Sequence, residues 1–516
     1  MKRSIPSYGK STTALSTVEK VGQLFMPAAF INDTEEEIVQ LEQLITQHHI
    51  GALCFFHSRA SAATNFEGKK KVVSNASSLQ TLHTLIARYQ KASKTPLLIA
   101  IDAEWGLAMR IENTTKFPYA ITLGALQNNN DLITEVGQHI SVDCKNSGIH
   151  WNLAPVVDIN TNPNNPVIGY RSFGQDKTRV TQKAQAMLTG IQDGGGISCL
   201  KHFPGHGDTS VDSHLGLPVI QKTKDAIYKE ELYPFKTLIA SGVDSVMVGH
   251  LALPSLTNGE EIPATISKTI ITEILRNELQ FKGVIISDAL NMHSVSKMFP
   301  KKGMLEWLAF DAGTDMLCFS EHVPEGIQTI LERATSNDIE ARFKNVWALK
   351  EKAFSERNTP TVKRNSTTLL AAIASKSITL AKGTESAVSL LKNQVSKVYS
   401  IGARNASYFS YTIAPFLTGN NEDVALIALY PPQIKPSQNF GFAANDIAIV
   451  NTLLKTKKCT VYLFGNPLSV QIFDLHNAEN LILVYENGQP FQEVAVQHVL
   501  GNITAVGSVP VELPSL

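Results

Sequence analysis

The sequence predicts an α/β protein: a (β/α)8 barrel of TIM type followed by a smaller α/β unit. Three observations lead there. Apolar, β-branched runs recur through the first two thirds of the chain, at Gly22–Ala28, Gly51–Phe56, Leu97–Ile101, Ile121–Gly124, Trp151–Val157, Ile197–His202, Ser245–His250, Val284–Ser287 and Met316–Phe319. Between many of them lie segments with helical spacing, at Glu35–Thr46, Leu79–Ala92, Leu132–Asn146, Thr178–Ile191, Lys224–Ala240 and Lys268–Leu279. Polar residues gather where the runs end: Asp102, Asp158, Lys201 with His202, His250 and Asp288.

Strands apolar on both faces and alternating with helices make a parallel sheet covered by helices. Roughly 330 residues of this alternation, without a Gly-rich nucleotide loop, favour a closed barrel over an open sheet. Barrel enzymes draw their sites from several strand ends, which is where the polar residues sit. Glu321 to Glu356 is charged and helix-prone and closes the barrel; Arg357 to Thr368 reads as a linker. Shorter runs at Val388–Leu391, Val398–Ile401, Ala425–Leu429, Val461–Phe464 and Leu481–Val484, with a helical stretch at Asn445–Leu454, predict a second parallel sheet with helices on its faces.

Bulk composition excludes several classes. Lys+Arg and Asp+Glu are equal at 46 each in 516 residues, so no basic excess points to nucleic acid. Lys69-Lys70-Lys71 is the longest basic run and reads as a solvated loop. The cysteines Cys54, Cys144, Cys199, Cys318 and Cys459 are odd in number and form no C-x-x-C, so buried thiols are expected. No stretch is long and apolar enough to span a bilayer. Met1-Lys2-Arg3-Ser4 is followed by no apolar core, so a cytoplasmic protein is expected as the chain stands, or a periplasmic one if an export signal was removed. Oligomeric state is not readable.

The densest chemistry lies in Lys201-His202-Phe203-Pro204-Gly205-His206-Gly207-Asp208-Thr209, continuing to Asp212-Ser213-His214. A packed core has no use for so many titratable groups, and Gly and Pro suit a loop. In Asp212-x-His214 a carboxylate can fix one imidazole nitrogen and leave the other to exchange a proton; alone, the pair is equally a cap beside an incidental His. Lys201 and His202 can bind sugar hydroxyls or a phosphate. Asp288 ends a very apolar strand and suits attack on an electrophilic carbon, or caps the segment from Ala289. Asp102-Ala103-Glu104-Trp105-Gly106 with Arg110, and Arg171 between Gly169 and Gly174, add acids, cations and an aromatic face suited to a sugar. His202, His206, Asp208, Asp212 and His214 have metal-ligand chemistry, but their spacing matches no zinc pattern, so neither metal nor cofactor is expected.

Together these segments resemble the β-N-acetylglucosaminidases of glycoside hydrolase family 3. The likeness rests on the Lys201–Thr209 loop with Asp212-Ser213-His214, on Asp102-x-Glu104-x-Gly106 with Arg110, on Val167–Gly174, and on Ser287-Asp288-Ala289-Leu290-x-Met292, in that family's order. It implies a catalytic barrel over 17–355 and an α/β sandwich domain over 370–516. It implies a retaining mechanism, with Asp288 as nucleophile, His214 as acid/base and Asp212 as its partner. Asp102, Arg110, Arg171, Lys201 and His202 would hold the N-acetylglucosamine. Trp105 replaces the Gly usual in single-domain members. The expected substrate is a carbohydrate or muropeptide from peptidoglycan. Phosphorolysis on the same site, or a β-glucosidase-like member, is the alternative. The Gly- and Pro-rich loop is expected to move to carry His214 over the sugar.

Overall fold

The computed structural model describes residues 5–59, 73–211, 216–355, 362–402 and 408–513. The chain forms two compact units interleaved in sequence. The first comprises Met1–Lys116, Val136–Asp158 and Met187–Val362; the second comprises Phe117–Glu135, Ile159–Ala186 and Lys363–Leu516. Lys69–Lys71 lie outside the described residues.

In the first unit the strands are β1 (Phe25–Met26), β2 (Ala28–Phe30), β3 (Ala52–Phe56), β4 (Leu98–Ile101), β5 (Trp151–Asn152), β6 (Cys199–Phe203), β7 (Ser245–Val248), β8 (Val284–Ser287) and β9 (Leu317–Cys318). They pair in the orders β2-β3-β4-β5, β6-β7-β8 and β1-β9, always parallel. Single parallel bridges join Trp151 to Ile197, Val156 to Lys201 and Ile286 to Met316. β4, β6, β7 and β8 are buried along their whole length, which is why β4, β7 and β8 are nearly continuous apolar runs rather than alternating ones, while β6 carries the buried Lys201 and His202.

The helices follow their signals. Glu35–His48 starts at Thr34, whose hydroxyl accepts from the Glu37 N–H while the Glu37 side chain returns the bond, and it stops at His49 in the left-handed conformation. Ser78–Ala92 buries Leu82, Leu85 and Tyr89 along one face. The helical reading of Lys224–Ala240 divides into Lys224–Lys229 and Leu232–Ala240. Pro234 has no N–H to give to the Glu230 carbonyl one turn back, so the ladder breaks there. Thr269–Glu278 is wound wider than an α-helix. Val323–Arg333 and Ser336–Phe354 fill the helix-prone region after β9.

Several strand readings are corrected. Trp151–Val157 stops pairing regularly at Asn152, because Pro155 can give no ladder hydrogen bond. Ile121–Gly124 is helix, Ala120–Gly124. It begins just after Pro118, and the buried Glu486 carboxylate accepts from the Tyr119 N–H at 2.8 Å and the Thr122 hydroxyl at 3.2 Å at its N-terminal end.

The second unit carries a five-stranded sheet in the order β10-β14-β13-β12-β11, with β10 at Thr379–Lys382, β11 at Val398–Gly402, β12 at Val424–Tyr430, β13 at Lys458–Leu463 and β14 at Asn480–Leu483. It is mixed rather than wholly parallel, since β10 runs antiparallel to β14. Val388–Leu391, expected as strand, is instead the end of helix Glu385–Leu390 and the turn after it.

No helix among the described residues is long and apolar enough to cross a membrane. All five cysteines are free and buried.

Candidate active site

β4 delivers Asp102 at its end, and two cations meet that carboxylate. Lys201 Nζ lies 2.8 Å from Asp102 Oδ1 and 2.8 Å from Glu104 Oε1. Arg110 Nη2 donates to Asp102 Oδ2 at 2.8 Å. Lys201 is 2% exposed in its side chain and Glu104 7%, so the charges face one another largely out of water. Burial pushes the Asp102 carboxyl up, but the charges of Lys201 and Arg110 outweigh it and hold Asp102 well below the usual carboxylate range. Arg110 stacks its guanidinium 5.3 Å from the Phe56 ring centre. Among the described residues nothing accepts from its buried Nε.

β6 ends in the loop that holds the densest chemistry. Its Lys201–His202 and Phe203–Pro204 peptide bonds are cis. Asp158, buried after β5, organises the loop. Its Oδ1 accepts from the His206 N–H at 2.7 Å and its two oxygens accept from the His202 N–H at 3.2 Å. Its Oδ2 lies 2.7 Å from His202 Nδ1. Burial raises the Asp158 carboxyl, yet His202 and His206 together hold it below its ordinary value. An ionised carboxylate only accepts, so His202 carries its proton on Nδ1 and a neutral ring offers Nε2 as acceptor. His206 is buried beside Thr209, whose hydroxyl lies 2.8 Å from Nδ1. Burial and the neighbouring His202 push the His206 ring down to about 4, against the pull of Asp158 and Asp288, so it is neutral at neutral pH.

Lys222 braces the same loop, with Nζ 3.1 Å from Asp208 and 2.5 Å from Glu231. Gly205 turns the chain there at φ +124°, and a Cβ on it would stand 2.8 Å from Glu231 Cβ. Gly205→Ala therefore costs about 1–3 kcal/mol from the positive φ and the overlap together. Thermal unfolding of the variant reads this as a lower midpoint, and an unchanged midpoint would show that the turn relaxes freely.

β8 delivers Asp288. Its N–H donates to the Val248 carbonyl at 2.9 Å, extending the β7–β8 ladder by one bond, and its Oδ1 accepts from the following Ala289 N–H at 2.8 Å. β6, β7 and β8 are hydrogen-bonded neighbours, so Lys201 and Asp288 leave strand ends separated by one strand. Asp288 acts electrostatically on His206, and both Asp288 and Asp102 act on the Cys318 thiol.

Asp102, Arg110, Lys201, His202 and Asp288 thus all belong to the first unit. Arg171 belongs to the second, in the turn Gly169–Arg171, which follows Asn165 accepting from the Val167 and Ile168 N–H groups at 2.9 and 2.8 Å. Asp212 and His214 lie outside the described residues. Asp158 was legible only as one more strand-end carboxylate; its hold on His202 and His206 spans more than forty residues of sequence. Among the described residues no three His, Cys, Asp or Glu side chains are grouped to hold a metal ion.

Residues 16–347 match the model of the glycosyl hydrolase family 3 N-terminal domain. Beta-hexosaminidase A of Pseudoalteromonas piscicida is 38% identical over 292 residues, covering 54% of this chain and 47% of that protein. Beta-hexosaminidase of Thiobacillus denitrificans is 33% identical over 246 residues, covering 46% of this chain and 66% of that protein. The chain therefore spans about half of the first relative's length and just under two thirds of the second's. A solved family 3 β-N-acetylglucosaminidase from Paenibacillus sp. str. FPU-7 superposes with a TM-score of 0.77 at 26% identity, covering 97% of this chain and 99% of that one. With the strand-end carboxylates Asp102 and Asp288, the buried Lys201 and a family match over most of the chain's first two thirds, this protein belongs to glycosyl hydrolase family 3.

Proposed function

We propose that the protein is a retaining exo-β-N-acetylglucosaminidase that removes terminal β-linked N-acetylglucosamine, with peptidoglycan-derived muropeptides as its substrates. The observation that carries this reading is the buried Asp102–Lys201 pair with Arg110 beside it. An ionised carboxylate with cations on two sides, and an Arg110 Nε still unmatched among the described residues, is built to bind hydroxyl groups bidentately. Asp288 stands on the same set of strand ends to attack the carbon that those groups present. The relatives named for hexosamine hydrolysis support the choice of sugar.

In this reading Asp288 attacks the anomeric carbon while His214, partnered by Asp212, protonates the departing oxygen. The glycosyl–Asp288 ester then breaks as His214 takes a proton from water, which adds to the anomeric carbon and restores the β configuration. Asp102, Arg110, Lys201 and His202 hold the sugar, with Arg171 added on the family resemblance. The parallel pairings and bridges of β1 to β9 support a closed (β/α)8 barrel over 17–355, with 370–516 as the α/β sandwich.

The test is product identification. The full chain, incubated without added metal with 4-nitrophenyl β-N-acetylglucosaminide and with a cell-wall digest, releases free N-acetylglucosamine of retained configuration. Adding inorganic phosphate leaves that product unchanged. N-acetylglucosamine 1-phosphate as the main product would convert the assignment to a phosphorylase, and intact substrate after long incubation would end it.

A further inference from the structure

We propose that His250 is a positioning residue for the nucleophile: it holds the Ala289 carbonyl, and through the backbone of Ala289 it aims the Asp288 carboxylate. This rests on Asp288 being the attacking group.

His250 stands two residues beyond β7 and is wholly buried. Both ring nitrogens face oxygen. Nδ1 lies 2.6 Å from the Thr265 hydroxyl, and Nε2 lies 2.9 Å from the Ala289 carbonyl oxygen. A carbonyl only accepts, so Nε2 carries a proton. The Thr265 hydroxyl has one proton, and it can give this to Nδ1 or to the Gly249 carbonyl 3.0 Å away. Either way the bond from His250 to Ala289 is kept, so it persists whether the ring is neutral or charged.

Ala289 is the residue that matters next to Asp288. Its N–H is the donor that reaches Asp288 Oδ1 at 2.8 Å. β8 ends at Ser287, and the ladder beyond it consists of the Asp288 N–H on Val248 O at 2.9 Å and the Leu290 N–H on Cys318 O at 3.0 Å. Between those two bonds the Ala289 carbonyl accepts from the Met292 N–H of its own turn at 3.0 Å and from His250 at 2.9 Å, and of these two only His250 ties it to the chain beyond β7. The Ala289 carbonyl and the Ala289 N–H lie in successive peptide planes joined at the Ala289 Cα, so loosening the carbonyl lets the turn shift and carry with it the N–H that bonds Asp288 Oδ1. Nucleophilic attack needs the reacting atoms about 3–3.5 Å apart and aligned, and misplacement by about 1 Å costs on the order of 100-fold. Of the residues assigned to hold the sugar, Asp102 and Arg110 follow β4, Lys201 and His202 lie on β6 and Arg171 belongs to the second unit; none shares these bonds. The loss therefore falls on the chemical step and spares binding.

Four proteins decide it: the wild type, His250→Leu, His250→Gln and Thr265→Val, assayed on 4-nitrophenyl β-N-acetylglucosaminide with thermal unfolding alongside. Leu keeps the bulk and removes the donor, so kcat falls on the order of 100-fold while KM stays within about threefold. Gln can still send an N–H to the Ala289 carbonyl and restores kcat to within about tenfold of the wild type. Thr265→Val keeps shape, loosens the ring and costs kcat roughly three- to tenfold. A folded Leu variant with wild-type kcat overturns the proposal, as does a loss carried by KM or a Gln variant no better than Leu. If the Leu variant does not fold, Thr265→Val decides, because a wild-type kcat in that variant would leave the tether without effect on the chemistry. A wild type that cleaves nothing, or an Asp288→Asn variant that keeps its activity, would instead strike the reading of Asp288 itself.

Discussion

On the proposed mechanism Asp288→Asn lowers kcat on 4-nitrophenyl β-N-acetylglucosaminide by roughly 10⁴-fold, the scale of losing an attacking group that forms a covalent intermediate. The replacement is nearly isosteric. Asn can still accept from the Ala289 N–H that now bonds Asp288 Oδ1 at 2.8 Å, so the thermal midpoint moves little. The lost property is nucleophilicity, because an amide oxygen carries no negative charge to stabilise the bond to the anomeric carbon. Shortening the side chain sharpens the test. In Asp288→Gly, added azide can occupy the vacated space and attack the same carbon from the same face. The C–N bond forms as the C–O bond to 4-nitrophenolate breaks, and the product is the α-glycosyl azide. A β-azide would mean that the sugar was first passed to another group on the protein, and Asp288 would then have to be reassigned as the proton donor. Full activity in Asp288→Asn would remove it from the chemistry altogether.

What could be read from the sequence divides along a physical line. Local patterns were legible because their causes are local. The buried strands β3, β4 and β8 are continuous apolar runs, and Thr34 with Glu37 marks a helix start by side chains three residues apart. Short apolar runs were not legible, since four residues fit one helical turn as well as a strand. Ile121–Gly124 and Val388–Leu391 both turned out helical for reasons outside themselves, the first capped by Glu486 from more than 360 residues away. β10 escaped notice because an edge strand with Lys382 at its end lacks the apolar run that marks a central one. The site follows the same rule. Asp102, Lys201 and Asp288 stood out as charges at strand ends. That Lys201 would meet both Asp102 and Glu104, or that His250 would bridge Thr265 and Ala289, depends on which strands lie side by side. No spacing within one segment records that.

Lys201→Met tests whether those strand-end charges form one electrostatic unit. In the wild type the ammonium lies 2.8 Å from a carboxylate oxygen of each of Asp102 and Glu104. Met fills the volume and removes the charge, leaving two adjacent carboxylates without the ammonium between them, while Arg110 stays on Asp102. Breaking a buried pair by deleting one partner costs about 3–5 kcal/mol, which for a unit of this size lowers the midpoint by roughly 5–8 °C. The pH dependence carries the argument. Burial raises the Asp102 carboxyl, and Lys201 with Arg110 bring it below its unfolded value. A carboxyl depressed on folding adds stability that is complete above about pH 4 and is lost as pH falls through the folded value. Without Lys201 burial regains weight, and ionising both acids in the folded state becomes the penalty. Protonation at lower pH relieves it, so the gap between wild type and variant is widest near pH 7.5 and closes by about half near pH 4.5. Activity moves with it. An Asp102 no longer fixed by Lys201 presents its oxygens poorly to the sugar, and kcat/KM falls on the order of 100-fold with KM rising. Equal gaps at the two pH values would mean that Lys201 serves as packing and that Asp102 owes its charge to Arg110. An unchanged KM would separate the ion pair from sugar binding and leave the carbohydrate reading to stand on Asp288.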